Sequence, residues 1–413
     1  MVPNPRWMIP VILLLSVQPG PIFADAITDW NEKAVAFVTP RMPPPAAQRV
    51  VAIAQVAMFD AVNSIERRYR PYLVQLTAAP TSSKEAAAAA AAGGVLTVLH
   101  PQSEAEELKS ATAAYLATIP DGDAKAEGIK LGQAVAARIL EARAKDGANA
   151  ADAYRPKTKP GVYVPTPITV GSTWPNVKPF AMTSAAQFRP QPPIPLAGEQ
   201  WAADYNEIKE LGGKSSSKRS AKQTEDARFW LITGPQSTDP IVRQLVAAKK
   251  MSLIDSARFM ALADIALADA YIAVLDAKYH YDFWRPITAI RNGDMDDNPK
   301  TERDPTWQPI DNTPMHPEYP CAHCIGSAAL AAVVEALFGT ADIPEVAMTS
   351  STAPGVTHRW TNLRVYADEV ANARIWAGFH YRFSAQVGQD MGRKIGVHVV
   401  KNLMQPASVA DAR

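Results

Sequence analysis

Residues 316–338 read HPEYPCAHCIGSAALAAVVEALF, and this stretch decides the predicted fold. The small and apolar residues after Pro320 predict an α-helix, because proline is tolerated in the first turn of a helix. The first amides of such a helix lack partners, so those of Cys321, Ala322 and His323 would face outward and attract an anion. His323 would then be placed to move protons. A buried histidine with a purely structural role is the simpler alternative.

Apolar residues recur at three- and four-residue steps along much of the chain, as in an amphipathic helix. In residues 45–66 the pattern is carried by Val50, Ile53, Ala54 and Ala57. Similar stretches cover residues 82–99, 104–118, 124–145, 240–278, 321–338 and 384–403. No comparable set of alternating strands is visible. The sequence therefore predicts an all-α protein whose helices pack in bundles.

Residues 155–196 differ from the rest because they are crowded with prolines, which break helices. They form either a disordered linker or an irregular strap, and the aromatic residues Tyr163, Trp174, Phe180 and Phe188 favour an ordered strap on the surface. We expect a helical region over 25–154, the strap over 155–196 and a helical bundle over 197–405. Together they would form one integrated domain.

The amino terminus has the pattern of a secretory signal. Arg6 precedes the apolar stretch WMIPVILLL, and Ala24 and Ala26 supply small residues for cleavage. We therefore assign residues 1–24 to a signal peptide and expect a secreted or periplasmic protein, with an uncleaved anchor as the alternative. No later apolar run approaches the ~20 residues of a membrane span.

Charge and cysteine content exclude several classes of function. The chain has 42 basic and 41 acidic side chains, and loss of Arg6 with the signal would leave 41 of each. Such a balance gives no electrostatic footprint for nucleic acid. The two cysteines cannot form a disulfide framework in a chain of this size. A single bond between Cys321 and Cys324 remains open.

Two further clusters combine cations with histidine. In KYHYDFWRPI (278–287), Lys278 and Arg285 would share a helix face unless the helix ends before Pro286. In ARIWAGFHYRFS (373–384), Arg374 and His380 meet only if the helix breaks between them, which Gly378 allows. Cations without acidic partners suit a tetrahedral oxyanion, although solvated cations on a helix face are common.

In order and spacing, the three clusters resemble the signature shared by vanadium-dependent haloperoxidases and type 2 phosphatidic acid phosphatases. The family pattern is Lys, six residues, Arg-Pro; then Pro-Ser-Gly-His; then Ser-Arg, five residues, His. Here it reads Lys278 with Arg285-Pro286, then residues 320–323 as Pro-Cys-Ala-His, then Ala373-Arg374 with His380. The segments TWPNVKPF, ARFW, DPTW and HPEYP resemble the bacterial haloperoxidase-like branch.

The resemblance implies a role for each matched residue. The equatorial oxygens of vanadate or phosphate would be held by three cations and one backbone amide, those of Lys278, Arg285, Arg374 and Ala322. His380 would be the axial vanadium ligand or, in a phosphatase, the nucleophile, and His323 the acid/base. A peroxidase would use vanadate with peroxide and halide, whereas a phosphatase would act on a phosphate ester without a cofactor.

Several positions depart from the family pattern, and two of them are simple: Ala322 stands for glycine and Ala373 for serine. Cys321 replaces the serine that donates a hydrogen bond to the oxyanion, and a thiol is a weaker donor. Ser384 stands where the phosphatases commonly carry an aspartate that orients the nucleophilic histidine. His316 lies in a possible halide pocket and resembles the bromoperoxidase residue, yet Leu275 is neither the Trp nor the Arg expected nearby.

Two other functions remain open. Cys321 and Cys324 have the spacing of a thiol-disulfide oxidoreductase, which requires a strand before the motif and a βαβ neighbourhood. An inactive oxyanion-binding protein is the other possibility. Neither the oligomeric state nor the organic substrate follows from the sequence.

Overall fold

The structure is a computed structural model that describes residues 25–100, 104–165 and 167–408. These residues are mostly helical and include one small two-stranded sheet, which confirms the predicted all-α class. The predicted signal peptide, residues 1–24, lies outside the described residues. Within them, no helix has both the length and the hydropathy to cross a membrane.

The helices before the proline-rich segment are α1 Ala26–Val38, α2 Pro44–Glu66, α3 Lys84–Leu99, α4 Ala105–Ala117 and α5 Asp123–Arg143. Those after it are α6 Glu199–Leu211, α7 Ala221–Phe229, α8 Asp239–Ala248, α9 Leu253–Tyr281, α10 Pro286–Arg291, α11 Ala322–Phe338, α12 Leu363–Trp376 and α13 Arg382–Asn402. Between α11 and α12, the strands β1 Asp342–Ser350 and β2 Ala353–Asn362 pair in antiparallel fashion.

Two predictions of secondary structure were wrong. The single helix expected over 240–278 is divided into α8 and α9, because Lys250 adopts a left-handed φ of 49° and Ser252 caps a new helix by accepting the amide of Asp255. The hairpin was missed altogether. In β1 the side chains of Val346, Met348 and Ser350 alternate toward the interior, a period of two that the sequence does contain.

The core that carries the site is built from α9, α11 and α13. Helix α11 packs against both of the others, and its first turn lies close to α13 at Gly388. A Cβ atom at Gly388 would lie 2.6 Å from the carbonyl oxygen of Cys321, so only glycine allows this approach. Cys321 in turn donates its amide to the carbonyl of Ser384 at 3.3 Å. The start of α11 is thereby fixed against α13.

The proline-rich segment is ordered along its described residues. Trp174 and Phe180 are buried, and the buried carboxylate of Asp269 on α9 accepts the amides of Phe180, Ala181 and Met182 at 2.7, 2.8 and 3.0 Å. A carboxylate that accepts three amides satisfies donors that would otherwise be buried without partners. The segment therefore behaves as the strap that its aromatic content indicated. The domain boundaries themselves remain a prediction.

Candidate oxyanion site

A break in the helix brings Arg374 and His380 to the same region. Helix α12 ends at Trp376, Gly378 takes a left-handed φ of 80°, and His380 lies just before α13 begins at Arg382. Glycine adopts this conformation without the steric cost that a Cβ atom brings. The break that the six-residue spacing required is therefore present at Gly378.

Lys278 and Arg285 do not share a helix. Helix α9 ends at Tyr281 with Asp282 in a left-handed conformation, and Arg285 precedes α10 in extended backbone. The ammonium of Lys278 donates to the carbonyls of Pro317 and Glu318 at 3.0 and 2.7 Å, which leaves one of its three N–H groups. Both cations therefore hold the segment that leads into α11.

Arg285 joins two of the predicted clusters. Its guanidinium donates to the carbonyls of His316 and Phe379 at 2.8 and 3.0 Å. Its Nη1 also lies 3.4 Å from Nε2 of His380, and its Nη2 lies 3.0 Å from Nδ1 of His316. The side chain is 1% exposed, so these contacts form in the interior.

Arg374 retains an unused donor. Its Nη1 donates to the carbonyl of Trp230, and its guanidinium carbon lies 4.8 Å from the centre of the Phe379 ring. Its Nε is buried and has no hydrogen-bond partner among the described residues. A buried charged donor without a partner is costly, which favours an acceptor that is supplied by a ligand.

Burial opposes the charge on all three cations. It lowers the pKa of Arg285 to about 10 and that of Arg374 to about 9, and it places the pKa of Lys278 well below its usual value. Mutual repulsion acts in the same direction, since the charge of Arg285 lowers the pKa of both Lys278 and Arg374. An anion bound among them would relieve this repulsion.

Glu318 is the site residue that the sequence analysis missed. Its buried Oε1 lies 2.8 Å from Nδ1 of His380 and accepts the amide of Tyr381 at 3.1 Å. Because Oε1 acts as an acceptor, Nδ1 of His380 carries the proton and Nε2 keeps its lone pair. The contact of Arg285 with Nε2 agrees with this tautomer. Burial raises the pKa of Glu318 to about 7, although Lys278 and Arg285 act to lower it.

One feature of the sequence could have identified Glu318 as a site residue. It is the one acidic residue of HPEYPCAHC, a segment that lies among cations. Ser384, where the phosphatases commonly carry an aspartate, is buried near the same place and offers no carboxylate. The carboxylate partner of His380 thus comes from the segment before α11, 62 residues away in the chain.

His323 is held by a neutral group. It lies in the first turn of α11, and its Nε2 is 3.0 Å from the carbonyl oxygen of Ile232. A carbonyl only accepts, so Nε2 carries the proton and Nδ1 is free to accept one. Burial and, next, the charge of Arg374 place the pKa of His323 well below its usual value. In the absence of an anion the imidazole is therefore neutral near pH 7.

Cys321 does not have the expected role of a thiol donor. Its sulfur is bonded to that of Cys324, and both residues are 0% exposed. A disulfide has no S–H to donate. Cys321 instead caps α11, since its sulfur lies 3.2 Å from the amide of Cys324, and the helix begins at Ala322 rather than at Pro320. Its amide donates to the carbonyl of Ser384. The amides that face outward at the start of α11 are therefore those of Ala322 and His323.

The thiol-disulfide alternative lacks its structural context. That reading requires a strand immediately before the motif, whereas the described residues before Cys321 are irregular and the one hairpin follows at Asp342. Both sulfurs are buried, so a protein substrate cannot reach them.

The predicted residues meet at one cavity of about 600 Å³. Its wall includes His323, His380, Arg374, Ala322 and His316. Arg285 contacts this wall from behind through His316 and Phe379, and Lys278 does so through the backbone of Pro317 and Glu318. His316 thus faces the cavity as expected for a halide pocket, while its Nδ1 is engaged by Arg285. The roles of these residues remain predictions.

The residues at the cavity fit vanadate. Three buried cations face one buried carboxylate, that of Glu318, so the buried part of the region carries an excess of positive charge, and Arg374 has an unpaired donor. His380 offers a nitrogen lone pair at Nε2, the kind of ligand that a metal centre takes from imidazole. Neither feature separates vanadate from phosphate by itself.

Fold and site together define a helical protein in which three imidazoles and Arg374 line one cavity, with two further buried cations behind its wall. Comparison with known proteins shows which helical proteins the chain is similar to. Residues 258–408 match the family model described as the VCPO second helical-bundle domain. Over 181 residues the chain is 29% identical to vanadium chloroperoxidase of Curvularia inaequalis, a match that covers 36% of this chain and 29% of that protein. The chain is thus similar to a vanadium haloperoxidase over part of its length, and the match spans less than a third of that relative.

Solved structures show the same fold over nearly the whole chain. The first bacterial vanadium-dependent iodoperoxidase superposes with a TM-score of 0.78 at 23% identity, covering 92% of this chain and 97% of that one. A holo-type bacterial vanadium-dependent chloroperoxidase gives 0.71 at 16% identity, with the same coverage. At these identities the likeness concerns the fold, and the halide that each protein is named for does not transfer.

Proposed function

We propose that this protein is a vanadate-dependent haloperoxidase that oxidises a halide with hydrogen peroxide. The observation that carries the proposal is the meeting of Arg374, His323 and His380 in one cavity wall, with the remaining cations directly behind it. Similarity to distant relatives does not by itself require these three side chains to lie together. Side chains from α11, from α12 and from the turn between α12 and α13 contribute to it.

Two of the cations and one backbone amide would hold the oxygens of the oxyanion. Arg374 contributes its unpaired Nε, Lys278 its remaining N–H, and the amide of Ala322 faces outward at the start of α11. Donors that are fixed before the reaction stabilise developing negative charge without reorganising. Vanadate, when bound, supplies the Lewis acidity that makes peroxide electrophilic enough for a halide to attack.

The imidazoles of His380 and His323 would have different roles. Nε2 of His380 would hold the vanadate, because Glu318 fixes the proton on Nδ1 and leaves Nε2 with its lone pair. His323 would take a proton from peroxide at Nδ1, since its Nε2 is engaged with Ile232. General acid/base catalysis of this kind typically contributes about 10²- to 10⁴-fold to a rate.

A periplasmic acid phosphatase is the second candidate, and Glu318 favours it. A phosphatase of this superfamily needs a carboxylate to orient the nucleophilic histidine, and Ser384 cannot provide one. The Glu318 carboxylate at 2.8 Å from Nδ1 of His380 supplies that interaction from another segment. His380 would then attack a phosphate ester at Nε2, and His323 would protonate the leaving group.

Two assays separate the candidates. The purified protein is incubated with orthovanadate, peroxide and either iodide or bromide, and a halogenation-sensitive dye is followed; hydrolysis of a phosphomonoester is measured separately without vanadate. We expect dye halogenation that depends on vanadate, and a vanadium content near one atom per chain. Ester hydrolysis without any dye halogenation would replace the first proposal by the second. Vanadate binding with neither activity would indicate an inactive binding protein.

We also propose that the protein works outside the cytoplasm. The buried Cys321–Cys324 bond supports this, because disulfides form and persist in oxidising compartments. Cell fractionation with detection of the tagged chain tests the location, and recovery of the chain with cytoplasmic markers would contradict it.

A further inference from the structure

A second group of ligand-type side chains lies outside the cavity, where α7 meets β2. Glu225 and Asp226 belong to α7, and His358 belongs to β2. Nε2 of His358 lies 3.5 Å from Oδ1 of Asp226 and 3.6 Å from Oε1 of Glu225. These distances exceed those of direct hydrogen bonds, so the three atoms do not satisfy one another. They surround a common point instead.

Glu369 on α12 prepares the imidazole of His358 as a ligand. Its Oε1 lies 2.6 Å from Nδ1 of His358, and the indoles of Trp230 and Trp360 donate to its oxygens at 2.9 and 3.0 Å. Burial acts to raise the pKa of Glu369, but these hydrogen bonds outweigh it and hold the pKa below its usual value. The carboxylate accepts, so Nδ1 carries the proton and Nε2 presents a lone pair. Carboxylates orient metal-binding histidines in this way.

Acceptor atoms that face one another are stable only with a cation between them, and the structure places one there. Nζ of Lys222 lies 2.8 Å from Oε1 of Glu225 and 2.8 Å from Oδ1 of Asp226. It is 3.4 Å from Nε2 of His358. Oδ1 of Asp226 is buried and accepts no hydrogen bond from the described residues, so its contact with the ammonium is an ion pair only. The Lys222 side chain is 63% exposed and can withdraw into solvent.

The spacing of the three ligand atoms fits a tetrahedral ion. Zinc lies about 2.0–2.2 Å from imidazole nitrogen and carboxylate oxygen, so tetrahedral angles separate two such ligands by about 3.3–3.6 Å. The distances from Nε2 of His358 to the two carboxylates are 3.5 and 3.6 Å. Magnesium and calcium take oxygen ligands, whereas an imidazole favours zinc and related transition metals. Glu225 is 41% exposed, so water can reach the fourth position.

We infer that Glu225, Asp226 and His358 bind a divalent transition metal of the zinc class, with water as the fourth ligand, in exchange for the ammonium of Lys222. The two carboxylates balance the charge of the ion. The inference is independent of the proposed haloperoxidase function. Because the ligands come from α7 and β2, the bound ion connects these elements and stabilises the folded protein by mass action.

Zinc binding is measured by calorimetry on protein that has been treated with a chelator and then transferred to chelator-free buffer. We expect saturable binding of about one Zn²⁺ per chain at this site. His358→Gln should weaken it by more than about 100-fold, because it removes a ligand rather than a supporting group. His398→Gln is the matched control and should leave it unchanged. His398 contacts the carbonyl of Ala181 and the amide of Asn402 instead of carboxylates.

Lys222→Ala is expected to have the opposite effect. It removes the competing ammonium at an exposed position, so zinc affinity should rise by about two- to fivefold, the equivalent of one or two exposed ion pairs. Weaker binding in this variant would overturn the inference even if His358→Gln failed to fold. Binding that survives His358→Gln, or no zinc binding to the wild-type protein, would also overturn it. None of these measurements involves halide, peroxide or vanadate, so their failure leaves the proposed function standing.

Discussion

Two of the segments that bring imidazoles to the cavity hold them in opposite ways. At the turn between α12 and α13, His380 is backed by the carboxylate of Glu318. At the start of α11, His323 is backed by the carbonyl of Ile232. The first partner is a carboxyl group whose pKa is raised to about 7 by burial, whereas the second is a neutral carbonyl that only orients the ring. Under the proposed function the same kind of side chain would have two tasks: a ligand at His380, and a neutral imidazole that accepts a proton at His323.

The largest expected effect concerns His323, the second histidine of this comparison. His323→Gln keeps a donor for Ile232 but removes the imidazole, so we expect halide oxidation to fall by about 10²- to 10⁴-fold. Vanadate affinity should change by less than about threefold, because the ring is not a ligand. Steady-state kinetics and equilibrium dialysis with vanadium analysis measure the two effects. A parallel loss of affinity and rate would assign His323 to anion binding instead.

Glu318→Gln tests how the carboxyl group affects His380, the first histidine of the comparison. Loss of the carboxylate weakens His380 as a ligand, and removal of such partners typically costs about 10- to 100-fold in metal affinity. We expect vanadate affinity to fall by that factor. Phosphate affinity should not fall, because a negative charge near the anion is also removed. The opposite outcome, weaker phosphate and unchanged vanadate, would mean that Glu318 only supports the fold.

A matched control for this variant exists in the same chain. Glu369 accepts from Nδ1 of His358 at 2.6 Å, and neither residue lines the cavity. Glu369→Gln therefore makes the same chemical change at another carboxylate–imidazole pair. Its vanadate affinity should equal that of the wild type.

The pH dependence of anion binding tests the neutral state of His323. Burial and Arg374 place the pKa of His323 below its usual value of 6.5, and a bound anion raises it by opposing those cations. Binding should therefore take up protons, and sulfate affinity should increase as the pH falls, by up to about tenfold per pH unit. Sulfate itself does not titrate in this range. Calorimetry in buffers of different ionisation enthalpy measures the uptake, which should decrease in His323→Gln.

The smallest effect concerns how α11 is held. Replacing both cysteines, Cys321→Ser with Cys324→Ser, removes the bond but retains a hydroxyl that can cap the helix. Closing so short a loop stabilises the protein by about 2 kcal/mol, so urea unfolding should show a loss of that size. Halide oxidation should change by less than about threefold. A much larger loss would show that the bond holds His323 in place.

The sequence predicted several of the helices and named most residues of the candidate site because both depend on local spacing. Apolar periodicity located α2, α3, α5, α11 and α13, and Gly378 marked the break between Arg374 and His380. The contact between Glu318 and His380 joins residues that are 62 apart, and no local pattern encodes it. The disulfide remained open for a related reason, since the spacing of Cys321 and Cys324 allows both the bonded and the free state. The hairpin was missed because its alternation is short and lies between strong helices.

The disulfide between the two cysteines affects how well a haloperoxidase with this structure would resist oxidation by the hypohalous acid that it forms. These are the only cysteines in the chain, so no thiol is left for hypohalous acid to consume. The sulfur most open to attack near the reaction is then the thioether of Met315, which lines the cavity and is 42% exposed. Oxidation there would make an apolar wall polar. We expect ageing under turnover to begin at this side chain, at the entrance to the site, while the imidazoles are still intact.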